Sequence, residues 1–282
     1  MMARQSLVYT VSMRRQYLSA RWLVIFLVLI WCTGVSAAED KTGTDPRAFT
    51  SKFMPYYLHT ELENEVEINQ LNLFGMYAFG PSVAITYDLP AWKKLDFDDA
   101  IPGGGDESGI GDLGLRVFYK PESLTNETSS HMFGAEITLP TASDPDYVLG
   151  GDNWVLSPMY VYVRNIKLIS PGFVAMMNFY DSDIDKGENG QDVSRYRGRW
   201  FLMQPLTRPG PNWTDGWYLL PELQPVYDFE KDDDEFSLWF APEFGKMMPW
   251  GAMYLKPGIG VVKDADTDRD WTVEIGLRYF FK

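Results

Sequence analysis

The sequence predicts an all-β protein, a transmembrane antiparallel β-barrel of about twelve strands. Three observations predict it: an N-terminal secretory signal, a series of short segments in which apolar and polar residues alternate, and a final segment with one wholly apolar face. Strand side chains point alternately to the two faces of a sheet, so such alternation gives each segment a lipid-facing side and an interior side. A soluble β-sandwich or lipocalin-like barrel, with its apolar face inward, is the alternative that periodicity alone leaves open.

The first element is a signal peptide. Arginines precede an uncharged run from Trp22 to Cys32, and the small residues Ser36 and Ala37 follow it. The run is too short to cross about 30 Å of hydrocarbon as a helix, and small residues suit signal peptidase. We therefore expect residues 1–37 to be cleaved, with an uncleaved N-terminal anchor as the alternative.

Charge and cysteine content narrow the partners. The signal peptide carries four arginines and no acid, so its removal changes the net charge from −14 to −18. A chain this acidic lacks the basic surface that binds nucleic acid, and nucleic acid is excluded as a partner. The only cysteine, Cys32, lies in the signal peptide, so the mature chain has no thiol chemistry. No motif calls for a cofactor or a metal ion.

Alternating segments fill the rest of the chain. Residues 38–52 are predicted as a periplasmic N-terminal segment, and residues 53–282 as the barrel. Prolines inside some segments predict local irregularity in the wall, because proline donates no ladder hydrogen bond. The predicted strands are Phe53 to Glu61, Glu67 to Phe79, Val83 to Leu95, Gly109 to Lys120, Met132 to Pro140, Trp154 to Arg164, Phe173 to Tyr180, Tyr196 to Leu206, Trp217 to Phe229, Phe236 to Lys246, Met253 to Val262 and Trp271 to Phe281.

The connections alternate in character. Those after odd-numbered segments are acidic, whereas several after even-numbered segments are short and rich in proline and glycine. Because such barrels have short periplasmic turns and longer outer loops, the acidic set should face the exterior and both termini the periplasm, which requires an even number of strands. The stretch Asp181 to Asp192 has carboxylates at several calcium-loop positions, but Lys186 replaces the required glycine, so we interpret it as a solvated loop.

The last segment carries a recognisable pattern. Glu274, Gly276, Tyr279 and Phe281 are spaced as in the C-terminal insertion signal of bacterial outer-membrane proteins, which this segment resembles. Lys282 departs from that signal, which normally stops at the aromatic residue. The resemblance implies recognition by the barrel-assembly machinery and a location in the cell outer membrane, among outer-membrane lipid and lipopolysaccharide.

The polar faces of the segments predict a charged interior. Interleaved acids and bases would either cross-link the interior through paired charges or line a narrow polar path that selects solutes, with aromatic side chains beside it. The predicted lumen-lining residues are Asp112, Arg116, Glu136, Tyr160, Tyr162, Arg164, Glu222, Trp239, Glu243, Lys256, Glu274 and Arg278.

Two glycines precede one of these candidates. Gly109 and Gly111 remove side chains from one face near the outer start of a strand, which permits a kink or a close approach, and Asp112 follows on the polar side. We interpret the three as wall-shaping residues rather than ligand contacts. No helix signal follows the glycines, so a phosphate-binding loop is excluded.

Several motifs together resemble a known family. Asp45-Pro-Arg-Ala48, Asn69 to Phe74, Phe79-Gly-Pro81 and above all Ser108 to Leu115 are similar to the outer-membrane proteins named for the meta-pathway of phenol degradation. The resemblance covers most of the mature chain. It implies a barrel that moves small, often aromatic or hydrophobic, compounds across the outer membrane, and it identifies no substrate-binding residue.

Three hypotheses about function follow. The first is a channel that passively admits small, possibly hydrophobic or aromatic, solutes, and the second is a closed structural or adhesion barrel whose charged interior blocks flow. The third is a lipid-modifying enzyme, which would need a histidine beside a nucleophile. Only His59 and His131 are present and neither lies in a lipase motif, so we expect no enzymatic activity.

Overall fold

The computed structural model describes residues 44–97, 105–143, 149–187, 190–230, 235–263 and 269–281, and the predicted signal peptide lies outside these residues. Most of the described chain is β-strand, and its one short helical element is a 3-10 turn at Glu122–Leu124. No helix in the described part is long and apolar enough to span a membrane.

Fifteen strands in the described residues form a single antiparallel sheet. The strands are β1 (Lys52–Leu62), β2 (Glu67–Ala78), β3 (Val83–Asp96), β4 (Asp106–Gly109), β5 (Leu113–Tyr119), β6 (Ser129–Leu139), β7 (Asn153–Lys167), β8 (Pro171–Lys186), β9 (Ser194–Pro205), β10 (Trp217–Leu220), β11 (Glu222–Asp228), β12 (Glu235–Phe240), β13 (Glu243–Met248), β14 (Gly251–Val262) and β15 (Arg269–Phe280).

The sheet closes into a barrel. β15 pairs with both β14 and β1, so the first and last strands are neighbours and the sheet has no open edge there. β4 and β5 follow one another along a single line of the wall, as do β10 with β11 and β12 with β13, which makes twelve wall strands. Each predicted segment corresponds to one of them, and the predicted antiparallel β-barrel of about twelve strands is confirmed.

Proline causes two of the wall interruptions. Pro221 separates β10 from β11, and Pro242 lies between β12 and β13. A proline at these points removes a ladder donor, and the strand breaks there. Pro158, Pro225 and Pro257 instead keep a paired position within their strands. The predicted irregularity therefore occurs at Pro221 and Pro242, whereas the other three prolines are accommodated within paired strands.

The two ends of the barrel have different connections. At one end, the turn end, tight turns at residues 79–82, 168–170 and 249–250 join neighbouring strands, and β1 begins beside the end of β15. At the other end, the loop end, most of the connections are longer, among them residues 140–152. This division matches the predicted alternation of short turns and long loops.

Side chains alternate between the outer surface and the interior. On β15, Ile275, Leu277 and Tyr279 are exposed, whereas Thr272 and Arg278 are buried. An apolar surface of this kind is what a membrane barrel presents to lipid, and a soluble barrel with an apolar interior would not have it. Other large exposed apolar side chains of the wall include Leu71, Ile85, Val117, Leu156, Leu223 and Leu255.

The interior has an apolar part as well as a charged part. Near the turn end, Met76, Phe118, Val161, Ala175 and Met203 pack in one buried hydrophobic cluster. Buried glutamates and lysines, together with Arg278, lie elsewhere in the interior. The lumen therefore offers both apolar and charged surface to anything inside it.

Candidate functional site

Two cavities lined by described residues lie in the lumen of the barrel. The inner cavity has a volume of about 340 Å³ and is lined by Pro46 and Phe49, which precede β1, and by wall residues such as Phe118 and Phe201. The vestibule has a volume of about 720 Å³ and lies toward the loop end, where Gly150, Gly151 and Gln191 line it. Charged side chains of the wall lie where the two cavities approach each other.

One network of charged side chains runs along the inner face of the wall from β5 to β9. Arg116 pairs through Nε with Glu136, whose other carboxylate oxygen accepts from Arg197 at 3.2 Å. Arg197 also pairs with Asp181 at 2.5 Å, and Asp181 accepts from Arg195 at 3.0 Å. Arg116 lines the inner cavity, and Glu136 and Arg197 line the vestibule, so this network separates the cavities.

A second network begins on β9 at Arg199 and involves β11, β13, β14 and β15. Glu222 accepts two hydrogen bonds from Arg199, at 2.7 and 3.1 Å, and one from Lys256 at 2.8 Å. Glu243 is held by Arg278 through two bonds of 2.7 Å. Such pairing satisfies carboxylates that would otherwise be buried and uncompensated.

Two carboxylates of the inner cavity are held more loosely. Asp88 accepts from the Tyr56 hydroxyl at 3.2 Å and is 3.8 Å from the Arg116 guanidinium. Glu274 accepts from the Tyr254 hydroxyl at 2.6 Å. These carboxylates have acceptor capacity left for a polar group inside the cavity.

Arg199 is the most open cation of the inner cavity. Its side chain is 47% exposed although its partner Glu222 is 1% exposed, and it lines the cavity. A guanidinium has five N–H donors, and the Glu222 contacts use Nε and Nη2. Arg199 is therefore placed to donate to a solute.

The inner cavity has an apolar side and a polar side. The apolar lining residues are Pro46, Phe49, Met54, Phe74, Met76, Phe118, Met177, Phe201 and Leu220. The ionisable ones are Asp45, Lys52, Tyr56, Asp88, Arg116, Arg199, Glu222, Glu243, Lys256, Glu274 and Arg278. Carboxylates and cations are equal in number in that lining, so the cavity has no net charge at neutral pH.

The vestibule is acidic by comparison. It has five carboxylates and two guanidinium groups, which gives a net charge of minus three. Fixed charge of one sign in a low-dielectric cleft raises the local concentration of the opposite sign. These side chains are Asp112, Glu136, Asp181, Asp192 and Asp228, with Arg195 and Arg197.

Asp112 anchors a loop at the vestibule. Its Oδ1 accepts from the backbone N–H of Thr141 at 2.9 Å and of Ala142 at 3.0 Å, and its Oδ2 accepts from that of Gly151 at 2.7 Å. A Cβ on Gly109 would come within 2.7 Å of Ser143, so the loop packs directly on the wall there. Gly109 and Asp112, which were interpreted as wall-shaping residues, therefore also position this loop.

The chain before β1 forms the turn-end floor of the inner cavity. Thr44, Asp45, Pro46 and Phe49 all line it. Phe49 is 2% exposed and its ring centroid lies 6.2 Å from that of Phe118. This part of the predicted periplasmic segment therefore lies within the mouth of the barrel.

Lys120, in the turn after β5, holds this floor. Its Nζ donates to the Arg47 carbonyl at 2.6 Å and lies 5.3 Å from the centroid of the Phe49 ring. Burial lowers the pKa of Lys120; the negative charge of Asp45 opposes this shift, and the positive charge of Arg47 adds to it.

Most of the predicted lumen residues project inward. Arg116, Glu222, Glu243, Lys256, Glu274 and Arg278 line the inner cavity, and Asp112 and Glu136 line the vestibule. Trp239 is buried, with the Arg269 guanidinium 4.5 Å from its ring centroid. In the predicted insertion signal, Tyr279 points outward and Glu274 inward.

Three predicted lumen residues, all on β7, lie on the outer face instead. Tyr160 is 37% exposed and hydrogen-bonds to His131, while Tyr162 and Arg164 share its strand face. The prediction was wrong because both faces of β7 are largely apolar or aromatic, so polarity did not identify the inner face. Met159, Val161 and Val163 fill the interior at these levels.

Three arginines of β9 were not among the predicted lumen-lining residues. Arg195, Arg197 and Arg199 occupy alternate positions of one strand and all point into the lumen. Their spacing of two in Ser194-Arg-Tyr-Arg-Gly-Arg199 was a readable signal, because alternate residues share a strand face.

The first part of the stretch Asp181 to Asp192, which was interpreted as a solvated loop, is a strand instead. β8 continues through Lys186, and Asp181 faces the lumen, where Arg195 and Arg197 pair with it. In the described residues no group of three or more metal-binding side chains is arranged to hold a metal ion.

A solved structure shares this fold. An outer membrane channel from Pseudomonas putida F1 superposes with a TM-score of 0.63 over 88% of this chain and 99% of that chain, at 17% sequence identity. That similarity establishes the fold of an outer-membrane β-barrel. Together with the apolar outer surface it supports the predicted location in the outer membrane.

Two further barrels match less well. CdiB from Acinetobacter baumannii has a TM-score of 0.42 at 7% identity, covering 83% of this chain and 61% of that one. BamA from Haemophilus ducreyi, lacking POTRA domains 1-3, has a TM-score of 0.37 at 9% identity, covering 83% and 63%. These scores are too low to support a comparison. No protein-family model and no curated protein sequence matches this chain.

Proposed function

We propose that this protein is an outer-membrane channel that passively admits small solutes with an apolar body and a polar head. The observation that carries the proposal is the two-sided inner cavity on the path through the barrel. Its volume of about 340 Å³ lies in the range of small-molecule sites, which are mostly apolar with a few well-placed polar groups. The barrel fold shared with a solved outer membrane channel supports the same role.

The lining suggests how such a solute is held. Phe74, Phe118 and Phe201 offer aromatic surface to an apolar or aromatic body. Arg199 offers donors, and Asp88 and Glu274 offer acceptors, to a polar head. Because the cavity is charge-balanced, it suits neutral or zwitterionic solutes better than ions of a single sign.

The resemblance to the meta-pathway family agrees with this substrate class. That family implies movement of small, often aromatic or hydrophobic, compounds. The acidic vestibule adds a preference, because a net charge of minus three opposes the entry of anions.

A closed structural barrel is the second candidate. The observation in its favour is the extent of charge pairing across the lumen, such as Arg278 with Glu243 and Arg197 with both Glu136 and Asp181. Paired charges of this kind can pack an interior without forming a path for solutes.

Catalysis is not proposed. His59 and His131 are bonded to Asn69 and to Tyr160 on the outer surface, and neither bond involves a serine nucleophile.

Liposome swelling with the purified barrel tests the channel. Phenylalanine and serine are both zwitterions that cross lipid poorly, and they differ in the apolar body. We expect phenylalanine to enter faster than its size alone predicts, and Phe201→Ser to remove that advantage. Phe133→Ser is the matched control, because Phe133 lies on the outer surface. Entry that follows size alone would contradict the proposed solute class. The absence of both swelling and bilayer conductance would favour the structural barrel.

A further inference from the structure

The residues before β1, Thr44 to Ser51, cross the turn end of the inner cavity and are called here the floor segment. Four of them line the cavity from below, so a solute that reached the cavity from the vestibule would meet this segment next. If the channel function proposed above is correct, passage through the barrel requires the floor segment to move.

The attachment of the floor segment suits a movable part. Thr44 to Thr50 contain no β-strand residue, whereas the wall around them is a continuous hydrogen-bonded sheet. The segment is anchored to the sheet at Ser51, its last residue. The Ser51 carbonyl accepts from the backbone N–H of Phe281 at 3.0 Å, and the Ser51 hydroxyl accepts from the backbone N–H of Ala78 at 3.2 Å. Segments outside the ladder open locally at lower free energy than strands within it.

Side chains hold the closed position. Arg47 is oriented by Asp45, with Nη2 to Oδ2 at 2.7 Å, and donates to Asn165 of β7 at 2.5 Å. Its guanidinium also lies 5.3 Å from the centroid of the Phe173 ring. Arg47 thus joins the floor segment to the β7–β8 side of the mouth.

Phe49 holds the segment to the β5 side. Its ring packs on Phe118, and Lys120 reaches over it to the Arg47 carbonyl. The two attachments, Arg47 on one side and Phe49 on the other, span the opening, and both consist of side-chain contacts that separate without breaking the barrel wall.

We propose that the floor segment is a removable gate at the turn end of the channel, latched by Arg47 and Phe49. Closed, it makes the inner cavity a chamber that is reached from the vestibule. Open, it joins the chamber to the periplasm.

Thiol reactivity tests the gate without relying on transport. The sequence has no cysteine after Cys32, so Met177→Cys in the inner cavity and Val155→Cys in the vestibule are each single reporters in the processed chain. In the folded, detergent-solubilised barrel we expect Val155→Cys to react quickly with a charged thiol reagent. Met177→Cys should react slowly, because the Arg116–Glu136–Arg197 network lies between the vestibule and the inner cavity and impedes a charged reagent.

Releasing the latch should change one reporter alone. We expect removal of residues 38–50, or Phe49→Ser, to accelerate Met177→Cys labelling by about tenfold or more while leaving Val155→Cys unchanged, because labelling follows the population of the open state. Phe53→Ser, at the start of β1 and on its outer face, is the matched control and should leave both rates unchanged. Heat-modifiable gel migration verifies that each variant is folded.

The outcomes separate the gate from the channel. Equal labelling of Met177→Cys with and without the floor segment, in folded barrels, would overturn the gate. Accelerated labelling without any conductance in planar bilayers would uphold the gate and reject the channel. Wild-type conductance as high as that of the truncated barrel would uphold the channel and reject the gate.

Discussion

Arg278 and Glu243 form a bidentate ion pair in the lumen, with Nη1 donating to Oε1 at 2.7 Å and Nη2 donating to Oε2 at 2.7 Å. The Tyr218 hydroxyl completes the cluster, accepting from Arg278 at 2.6 Å and donating to Glu243 at 2.7 Å. All three side chains are buried, so the cluster joins β10, β13 and β15. Arg278 and Glu243 also form part of the wall of the inner cavity.

Glu243→Gln should therefore weaken the barrel. The change leaves the Arg278 charge without its carboxylate. Loss of one partner of a buried ion pair costs about 3 to 5 kcal/mol of folding free energy. On gels of samples heated to increasing temperatures, we expect the variant to change from the folded to the unfolded band at a lower temperature than the wild type. Glu274→Gln is the control, because Glu274 bonds to the neutral Tyr254 hydroxyl and should lower that temperature less. A clear change in ion selectivity with unchanged stability would contradict this assignment.

Ile275→Arg should impair assembly. Ile275 lies at the middle of β15 on the outer face and is 54% exposed, so an arginine there would meet lipid. The expected cost is about 2 to 4 kcal/mol near the bilayer midplane. The fraction of folded barrel in lipid vesicles reports it. Ile275→Val should fold like the wild type, and if the arginine variant did so too, the assignment of the outer face would be wrong.

Asp112→Ala should free the loop that Asp112 holds. The carboxylate accepts three backbone hydrogen bonds, and a bond to a charged group contributes about 1.5 to 3 kcal/mol. Limited proteolysis of the folded barrel should cut residues 140–152 faster in the alanine variant, with Asp112→Asn intermediate because it retains one oxygen acceptor. Equal cleavage of all three proteins would show that the loop is held by other contacts.

Neutralising the vestibule should reduce its preference for cations. Asp192→Asn combined with Asp228→Asn changes the net charge of the lining from minus three to minus one. Selectivity follows fixed wall charge, so the reversal potential in a salt gradient should move toward zero. Glu67→Gln removes a charge from the outer face of β2 and should have no effect. An unchanged potential in the double variant would place the selective point elsewhere.

The floor segment should be held more firmly at high pH. Burial in the closed state lowers the pKa of Lys120, so the open state binds more protons between that lowered pKa and the ordinary lysine pKa of about 10.4. Raising the pH through this window should favour closure, so Met177→Cys should be labelled more slowly. The labelling rate of Val155→Cys at each pH corrects for the ionisation of the thiol itself. Lys120→Gln should abolish the pH dependence. A dependence that survives this change would have another origin.

The strands could be predicted because each wall strand carries its own signal. On β15 the alternation from Trp271 to Phe281 gave both the strand and its outer face, since lipid on one side and polar contacts on the other impose opposite demands. On β7 this demand is weaker, because the interior at Met159 and Val161 is itself apolar. Polarity then no longer distinguishes the faces, and Tyr160 was placed on the wrong side.

The site was less predictable than the wall. Arg116 and Glu136 could each be assigned to the lumen from local alternation, but their pairing depends on which strands become neighbours. The floor segment could not be predicted, because no periodicity marks it. Its position depends on Phe49 and Arg47 finding partners on β5, β7 and β8, far away in sequence.

The pairing of β1 with β15 gives the barrel a seam between the two ends of its own chain. Lys52 lies opposite Phe280, so the contact that closes the wall has nearly the longest sequence separation the described residues allow. Loop-closure entropy and high contact order delay such a contact, and the sheet has two unpaired edges until the last strand is in place. The strand with the predicted insertion signal is the same strand that completes the seam. A nascent chain that lacks it would remain an open sheet, prone to pair edge to edge with other chains.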